Sequence, residues 1–222
     1  MQSKLQQGLD TLGLLQIEDL QRKMEIYIEA VLDFNKTYNL MKADTMDDMA
    51  VNHILDSLAA VSHINSLIQS LTQQNNIESL EIGDIGSGGG CPGIPLAAVY
   101  PQHSFTLVER MEKRCLFLES VINKIGLKNV TVQCVQADKV EKEKFHIEVF
   151  RAFHPFDKKI ARLLLGMLKN GGFLVAYKAR AEKIQEEMSS PEVQKIIPTY
   201  KKIALTVPFL EDHERNLVVI KK

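Results

Sequence analysis

Several absences narrow the reading of this 222-residue chain before any motif is considered. No apolar run approaches the ~20 residues that a membrane span requires, so no membrane partner is expected. The opening stretch, MQSKLQQGLDTLGLL, lacks the charged start and apolar core of a secretory signal, which predicts a cytoplasmic protein. Cysteine is scarce: Cys91, Cys115 and Cys134 are odd in number and far apart. That spacing suggests neither a disulfide framework nor a zinc site, so reduced, partly buried thiols and no metal are expected. The formal net charge of −1 argues against a general nucleic-acid binder. Internal repeats and low-complexity segments are also missing.

The charge that is present is unevenly spread. Residues 1–80 carry 5 basic and 11 acidic side chains, whereas residues 81–222 carry 22 basic and 17 acidic ones. A polyanion would therefore meet the C-terminal part, on patches such as Arg110/Lys113/Arg114 and Lys158/Lys159/Arg162. Ordinary solvated helix faces would give the same counts.

Hydrophobic periodicity divides the chain. Leu20, Met24, Tyr27, Val31 and Phe34 form one helical stripe, and Val51, Ile54, Leu58 and Val61 another. The polar stretch Thr72–Glu78 reads as a linker. From Leu80 onward, short β-branched runs alternate with amphipathic segments. Strands are predicted over Glu81–Ile85, Ser104–Glu109, Val130–Val135, Phe145–Arg151 and Phe173–Lys178, with later runs at Thr199–Val207 and Asn216–Ile220. Helices are predicted near Pro92–Tyr100, Met111–Ile125 and Phe156–Leu168, with Gly126 and Asn170-Gly171-Gly172 as helix stops. The alternation predicts an α/β fold with a parallel sheet covered on both faces. We expect a helical N-terminal region over residues 1–76 and a cofactor-binding domain over 77–222.

The most informative stretch is Leu80-Glu-Ile-Gly-Asp84-Ile-Gly86-Ser87-Gly88-Gly-Gly90-Cys91-Pro92-Gly93. A strand ends at Ile85, a glycine-dense turn follows, and a helix begins about Pro92, a residue suited to a first helical turn. Glycines allow tight turns and close approach to a ligand, and the helix start offers free N–H donors. A dinucleotide G-x-G-x-x-G pattern occurs as Gly88/Gly90/Gly93, but its first glycine falls two residues late and Pro92 lies inside it. The pattern acidic-x-G-x-G-x-G is satisfied in place by Asp84, Gly86, Gly88 and Gly90, and it marks methyltransferases that use S-adenosylmethionine. Glu109 ends the second strand 23 residues after Gly86, where an acid accepts hydrogen bonds from both ribose hydroxyls. Both cofactor classes use such an acid. At the end of the third strand, Ala137 leaves room for an adenine ring and Asp138 is placed to accept from its amino group; a solvated loop aspartate fits that spacing nearly as well.

Several segments together resemble one family, the RsmG (GidB) 16S rRNA guanine-N7 methyltransferases. They are Tyr38-Asn39-Leu40, His53-Ile-Leu-Asp56-Ser57, the run from Asp84 to Leu96, Leu107-Val-Glu109, Lys113-Arg114, Arg151-Ala-Phe153, Lys178 and Arg215-Asn-Leu-Val-Val-Ile-Lys221. The resemblance implies a Rossmann-like class I methyltransferase sheet of seven strands, the last antiparallel, behind a short helical N-terminal extension. It implies S-adenosylmethionine as cofactor and S-adenosylhomocysteine as product. By resemblance, Gly86, Cys91, Ala137, Asp138 and Arg151 fall where the family contacts the cofactor, and the glycine loop and strand-end acid add Asp84, Ser87, Gly88 and Glu109 as cofactor-site candidates. The implied partner is 16S rRNA within the small ribosomal subunit; a monomer is expected. Three departures stand out: Val135-Gln136 where relatives usually carry Ser-Arg, His146 and Glu148 in a core strand, and Tyr177-Lys178-Ala179 in place of Leu-Lys-Gly.

Guanine N7 carries an exposed lone pair, so its methylation needs alignment and exclusion of water rather than a general base. No Asp/His or Cys/His pair near the loop is poised to remove a proton, and no catalytic residue is assigned. An arginine bound to N7 would block attack, so Arg151 is expected to hold a phosphate, O6 or the cofactor carboxylate. Lys178 and Arg215 are candidates for RNA phosphate contacts. His53 and Asp56, three residues apart, either dock the N-terminal helices as a buried polar pair or join Asn39 at the rim of the cleft. Alternatives from the residues alone are a methyltransferase acting on tRNA, protein or a small molecule, a nicotinamide-dependent oxidoreductase, or a non-catalytic cofactor-binding module.

Overall fold

The computed structural model describes residues 2–222; Met1, where the N-terminal reading starts, lies outside them. Helix α1 (Lys4–Thr11) begins where the Ser3 hydroxyl accepts the Gln6 N–H, and α2 (Leu20–Asn35) buries Leu20, Met24, Tyr27 and Val31, as the stripe predicts. Helix α3 (Met46–Met49) starts in a reciprocal Thr45/Asp48 capping box. The second stripe is buried, but it does not follow one helix. A π-helical turn, Ala50–Leu55, leads into α4 (Asp56–Leu58) and then α5 (Val61–Asn75). The last turn of α5 thus occupies part of the stretch expected to be a linker. No helix of the described residues is long and apolar enough to cross a membrane.

The sheet strands are β1 (Glu81–Ile85), β2 (Ser104–Glu109), β3 (Val130–Cys134), β4 (Phe145–Arg151), β5 (Leu168–Lys178), β6 (Lys201–Ala204) and β7 (Asn216–Lys221). Between them lie α6 (Gly93–Val99), α7 (Glu112–Ile125), α8 (Lys158–Met167), α9 (Ala181–Met188) and α10 (Pro191–Gln194). Strand order is β3-β2-β1-β4-β5-β7-β6. Strands β1 to β5 pair in parallel, and β7 runs antiparallel between β5 and β6. The reversal of order beside β1 brings the ends of β1, β2 and β4 together around one crevice, where ligands of open α/β sheets bind.

One expectation fails. Asn170-Gly171-Gly172 does not end a helix, because α8 has already stopped at Met167 and β5 runs through the glycines. Gly171 has φ +79°, and a Cβ on Gly172 would collide with the carbonyls of His146 and Lys169, beside a register shift between Phe145 and Ile147. The glycines serve a bulge in the strand, not a helix stop.

Side chains alternate across the sheet and feed two apolar clusters. One contains Ile147 and Val149 with Met24, Ile54, Leu96 and Leu118, so the N-terminal helices share a core with one sheet face. The other contains Phe150 and Leu174 with Leu164, Ile184 and Met188. Glu148 breaks the pattern: it is fully buried in β4 and neither carboxyl oxygen has a hydrogen-bond partner. Burial raises its pKa well above the ordinary carboxylate range, only partly opposed by Lys222. The folded protein therefore keeps a proton there that the unfolded chain releases near pH ~4.3. The stability from that proton is complete below this pH and is lost as pH rises through the folded-state value. Glu148→Gln is accordingly predicted to raise the urea midpoint at pH 8 and to flatten the fall in stability as pH rises above ~4.3.

Candidate active site

The turn after β1 is built by its glycines. Gly86, Gly88 and Gly90 have φ of +74°, +56° and +104°, values that a side chain would strain. The N–H groups of Gly86 and Ser87 donate to the Val108 carbonyl at 2.9 and 3.0 Å, which fastens the turn to β2. Glu109 completes the fastening. One carboxylate oxygen accepts the Gly88 N–H at 2.9 Å, and the other accepts those of Arg110 and Met111 at 2.8 Å each. Beneath the turn, Asp84 accepts the Gly93 N–H at 2.9 Å at the start of α6, while its second oxygen is buried without a partner. Burial pushes the Asp84 carboxyl up to about 7, against the opposing pull of that N–H and of Arg151.

The N-terminal helices brace this turn. Tyr27 donates to the Gly89 carbonyl at 2.6 Å and lies 3.3 Å from the buried Cys91 thiol. Asn35 ties the segment after α2 into a loop by donating to the Met41 and Ala43 carbonyls and accepting from the Leu40 and Met41 N–H groups. A Cβ on Gly89 would collide with Met41, so that loop rests directly on the glycine turn.

A cleft of about 530 Å³ opens beyond the turn, lined by Gly86, Glu109, Ala137 and Asp138 with Arg110, Arg114 and Lys159 at its margin. Its composition suits a nucleoside-bearing cofactor: a backbone that approaches closely, an acid beside it and a small residue opposite. The expectation of three reduced cysteines fails here. Cys115, in the first turn of α7, and Cys134, at the end of β3, form a disulfide with Cα atoms 5.8 Å apart. It joins the segment that follows Glu109 to the segment that leads into Ala137 and Asp138. Among the described residues, Cys91 alone is a free thiol.

A second chamber, of about 550 Å³, shares Ala152, Phe153 and His154 with the first. Its organising group is Asp56, 5% exposed, which receives Arg151 Nη1 at 2.7 Å on one oxygen and Arg215 Nε at 2.8 Å on the other. Arg151 Nη1 also donates to the Asn52 carbonyl at 3.1 Å, and Nη2 lies 2.9 Å from His53 Nδ1. The opposite ring nitrogen of His53 lies 3.1 Å from the Lys42 carbonyl, which assigns its proton to Nε2 and leaves Nδ1 to accept from the arginine. Burial, then the Arg151 charge, hold the His53 pKa below its usual value, consistent with that neutral form. Tyr177 donates to the Ser57 carbonyl at 2.9 Å, so the π-helical segment and its continuation are fastened to the ends of β4, β5 and β7. Ala152 has φ +53°, an uncommon conformation for alanine, in the wall between the chambers.

Of the residues singled out from sequence, His53, Arg151, Lys178 and Arg215 line the second chamber together. Gly86, Glu109, Ala137 and Asp138 line the first. Asp84, Ser87 and Cys91 are buried; Asp84 braces α6, the Ser87 hydroxyl donates to the Asp84 carbonyl, and Cys91 lies against Tyr27. Asn39 is exposed and lines neither chamber. His53 and Asp56 are joined through Arg151 rather than to each other. Sequence reasoning missed the support from Tyr27 and Asn35, the Tyr177 contact and the presence of Glu187. The helical stripe contained Tyr27, but a stripe shows burial, not a hydroxyl's partner.

The sheet order, the antiparallel β7 and the glycine turn define the class I fold of S-adenosylmethionine-dependent methyltransferases. The same fold appears in TYW2 of M. jannaschii, solved in complex with AdoMet: TM-score 0.50 at 16% identity, covering 73% of this chain and 75% of that one. Within this class the chain belongs to the GidB family, rRNA small subunit methyltransferase G, whose model matches residues 20–218. Ribosomal RNA small subunit methyltransferase G of Treponema denticola is 36% identical over 98% of this chain and 93% of its own length. That of Brachyspira hyodysenteriae is 33% identical over 91% of each. Membership decides for the methyltransferase glycine pattern over the nicotinamide one.

Two outcomes test the site's construction. Asp56→Ala leaves two guanidinium groups facing each other and should cost about 3 kcal/mol, the low end for a broken buried pair because both arginines keep some solvent. Denaturant unfolding measures it, and a loss below about 1 kcal/mol, the range of surface pairs, would contradict the assigned role. Cys134→Ser should lower stability by about 3 kcal/mol without reductant and have little effect once dithiothreitol has opened the wild-type cross-link.

Proposed function

We propose that this chain transfers a methyl group from S-adenosylmethionine to N7 of a guanine in 16S rRNA of the small ribosomal subunit. The observation that carries the reading is the pair of adjoining chambers that share Ala152, Phe153 and His154 in their walls. One fits the nucleoside of the cofactor and the other admits a base beside it. S-adenosylmethionine, when bound, supplies an electrophilic sulfonium methyl and is released as S-adenosylhomocysteine.

The chain's own contribution is placement. Glu109 is held by three backbone N–H groups in position to accept from ribose hydroxyls, Ala137 leaves the adenine plane clear, and Asp138 accepts from the adenine amino group. The incoming base has a free lone pair at N7, so no side chain has to remove a proton, and alignment with exclusion of water supplies the acceleration. Arg151 is held by Asp56, His53 and Asn52 and is therefore kept off N7 while its charge remains near the chamber. Arg110, Arg114 and Lys159 around the first cleft, and Arg215 beside the second, offer phosphate contacts for the RNA on either side. In this reading residues 1–76 serve as a helical brace for the catalytic domain of residues 77–222. The protein works in the cytoplasm as a monomer on the assembled subunit.

Transfer of labelled methyl to small subunits lacking this modification, followed by nucleoside analysis, tests the proposal. The expected product is 7-methylguanosine in 16S rRNA, with weaker labelling of protein-free RNA. Label in another nucleoside, or only in protein, would overturn it.

A further inference from the structure

Cofactor binding leaves one charged pair of the second chamber without a task. Lys178 Nζ, at the end of β5, and Glu187 Oε2, on α9, lie 2.7 Å apart with 14% and 16% of their side chains exposed. A pair so far removed from water costs desolvation energy that its mutual attraction does not reliably repay. Its placement in a chamber wall, not in the core, calls for a partner there. Glu187 Oε2 is fully engaged, since it also accepts the Phe156 N–H at 2.9 Å. Oε1 has no hydrogen-bond partner among the described residues. The Lys178 ammonium stands over the Phe156 ring at 5.0 Å, which fixes the lysine beside the carboxylate.

The wall therefore presents a cationic donor next to an anionic acceptor. Guanine carries the complementary pair on adjacent atoms, the O6 acceptor and the N1–H donor. Adenine carries the reverse, an amino donor and an unprotonated N1. Resting on the rRNA guanine reading above, we propose that Lys178 and Glu187 select the target base: Lys178 donates to O6 and Glu187 Oε1 accepts from N1–H. N7 lies on the other side of O6 from N1, so a base held by this edge keeps N7 free. Phe153, in the wall common to both chambers, is placed to flank the ring. Methylation at N7 leaves the base cationic and its N1–H more acidic, so the carboxylate's hydrogen bond strengthens as the reaction proceeds. The pair as a whole is neutral and does not repel the charged product. Lys178 thereby acts on the base instead of on an RNA phosphate.

The test uses small subunits reconstituted with 16S rRNA bearing guanine, inosine or 2-aminopurine at the methylated position. Inosine keeps O6 and N1–H and lacks only the N2 amino group; 2-aminopurine lacks both O6 and N1–H. For the wild type, kcat/KM on inosine should stay within about threefold of guanine and should fall about 10- to 100-fold on 2-aminopurine. The double variant Lys178→Met/Glu187→Leu replaces the pair by apolar groups of similar size, a change that buried ion pairs tolerate. It should retain S-adenosylhomocysteine affinity, lose activity on guanine and bring the guanine to 2-aminopurine ratio close to one. An unchanged ratio would overturn the assignment, as would loss of S-adenosylhomocysteine binding, which would make the pair structural. If the wild type transfers no methyl to guanine-containing subunits, the rRNA guanine reading itself fails. Failure of the assignment alone leaves that wild-type activity intact.

Discussion

The Asp56 carboxylate between Arg151 and Arg215 is the contact on which the rest of this site depends. It joins residues 95 and 159 positions apart in the chain. Two guanidinium groups at the same edge of a sheet repel one another, and the carboxylate turns that repulsion into a bridge with one oxygen for each. Asp56 is also where the helical N-terminal region meets the sheet. The bridge and the neighbouring Asn52, His53 and Ser57 contacts fasten one to the ends of β4, β5 and β7.

Fixing Arg151 in this way shapes what the site does. A mobile arginine in the second chamber would compete for N7 and O6 of a guanine, the acceptors it prefers. Held by three partners, it would, in the proposed reaction, contribute charge without covering the nucleophile. The wall beside it, with Ala152 in the left-handed region, is common to both chambers, which under the proposed function take the nucleoside of the cofactor and the target base. Behind the first chamber, Tyr27 and the loop tied by Asn35 hold the glycine turn in place. The helical region thus supports both halves of the site, which explains why its apolar core is continuous with one sheet face.

Local patterns made much of this legible. Strands β1, β2 and β4 coincide with the β-branched runs, and the glycine turn with Glu109 was visible as a spacing. What was hidden depends on distance in the chain. A heptad-like stripe cannot distinguish an α-helix from the π-helical turn at Ala50–Leu55, because both bury the same residues. The Cys115–Cys134 link joins a helix start to a strand end only once β2 and β3 pair. Asn39, conspicuous in sequence, is exposed, and neighbouring Asn35 does the tethering. Glu187 lies on a short helix whose sequence resembles a solvated face, and only folding returns it to the chamber beside Lys178.

The proposed reaction places cofactor and target base on opposite sides of the Ala152–His154 wall. A structure of the protein bound with S-adenosylhomocysteine on the small ribosomal subunit tests it most directly. The prediction is the nucleoside between Glu109 and Ala137, with a flipped guanine in the chamber lined by Arg151, Phe153, Lys178 and Glu187. A guanine approaching from any other face, or that chamber closed in the complex, would contradict it.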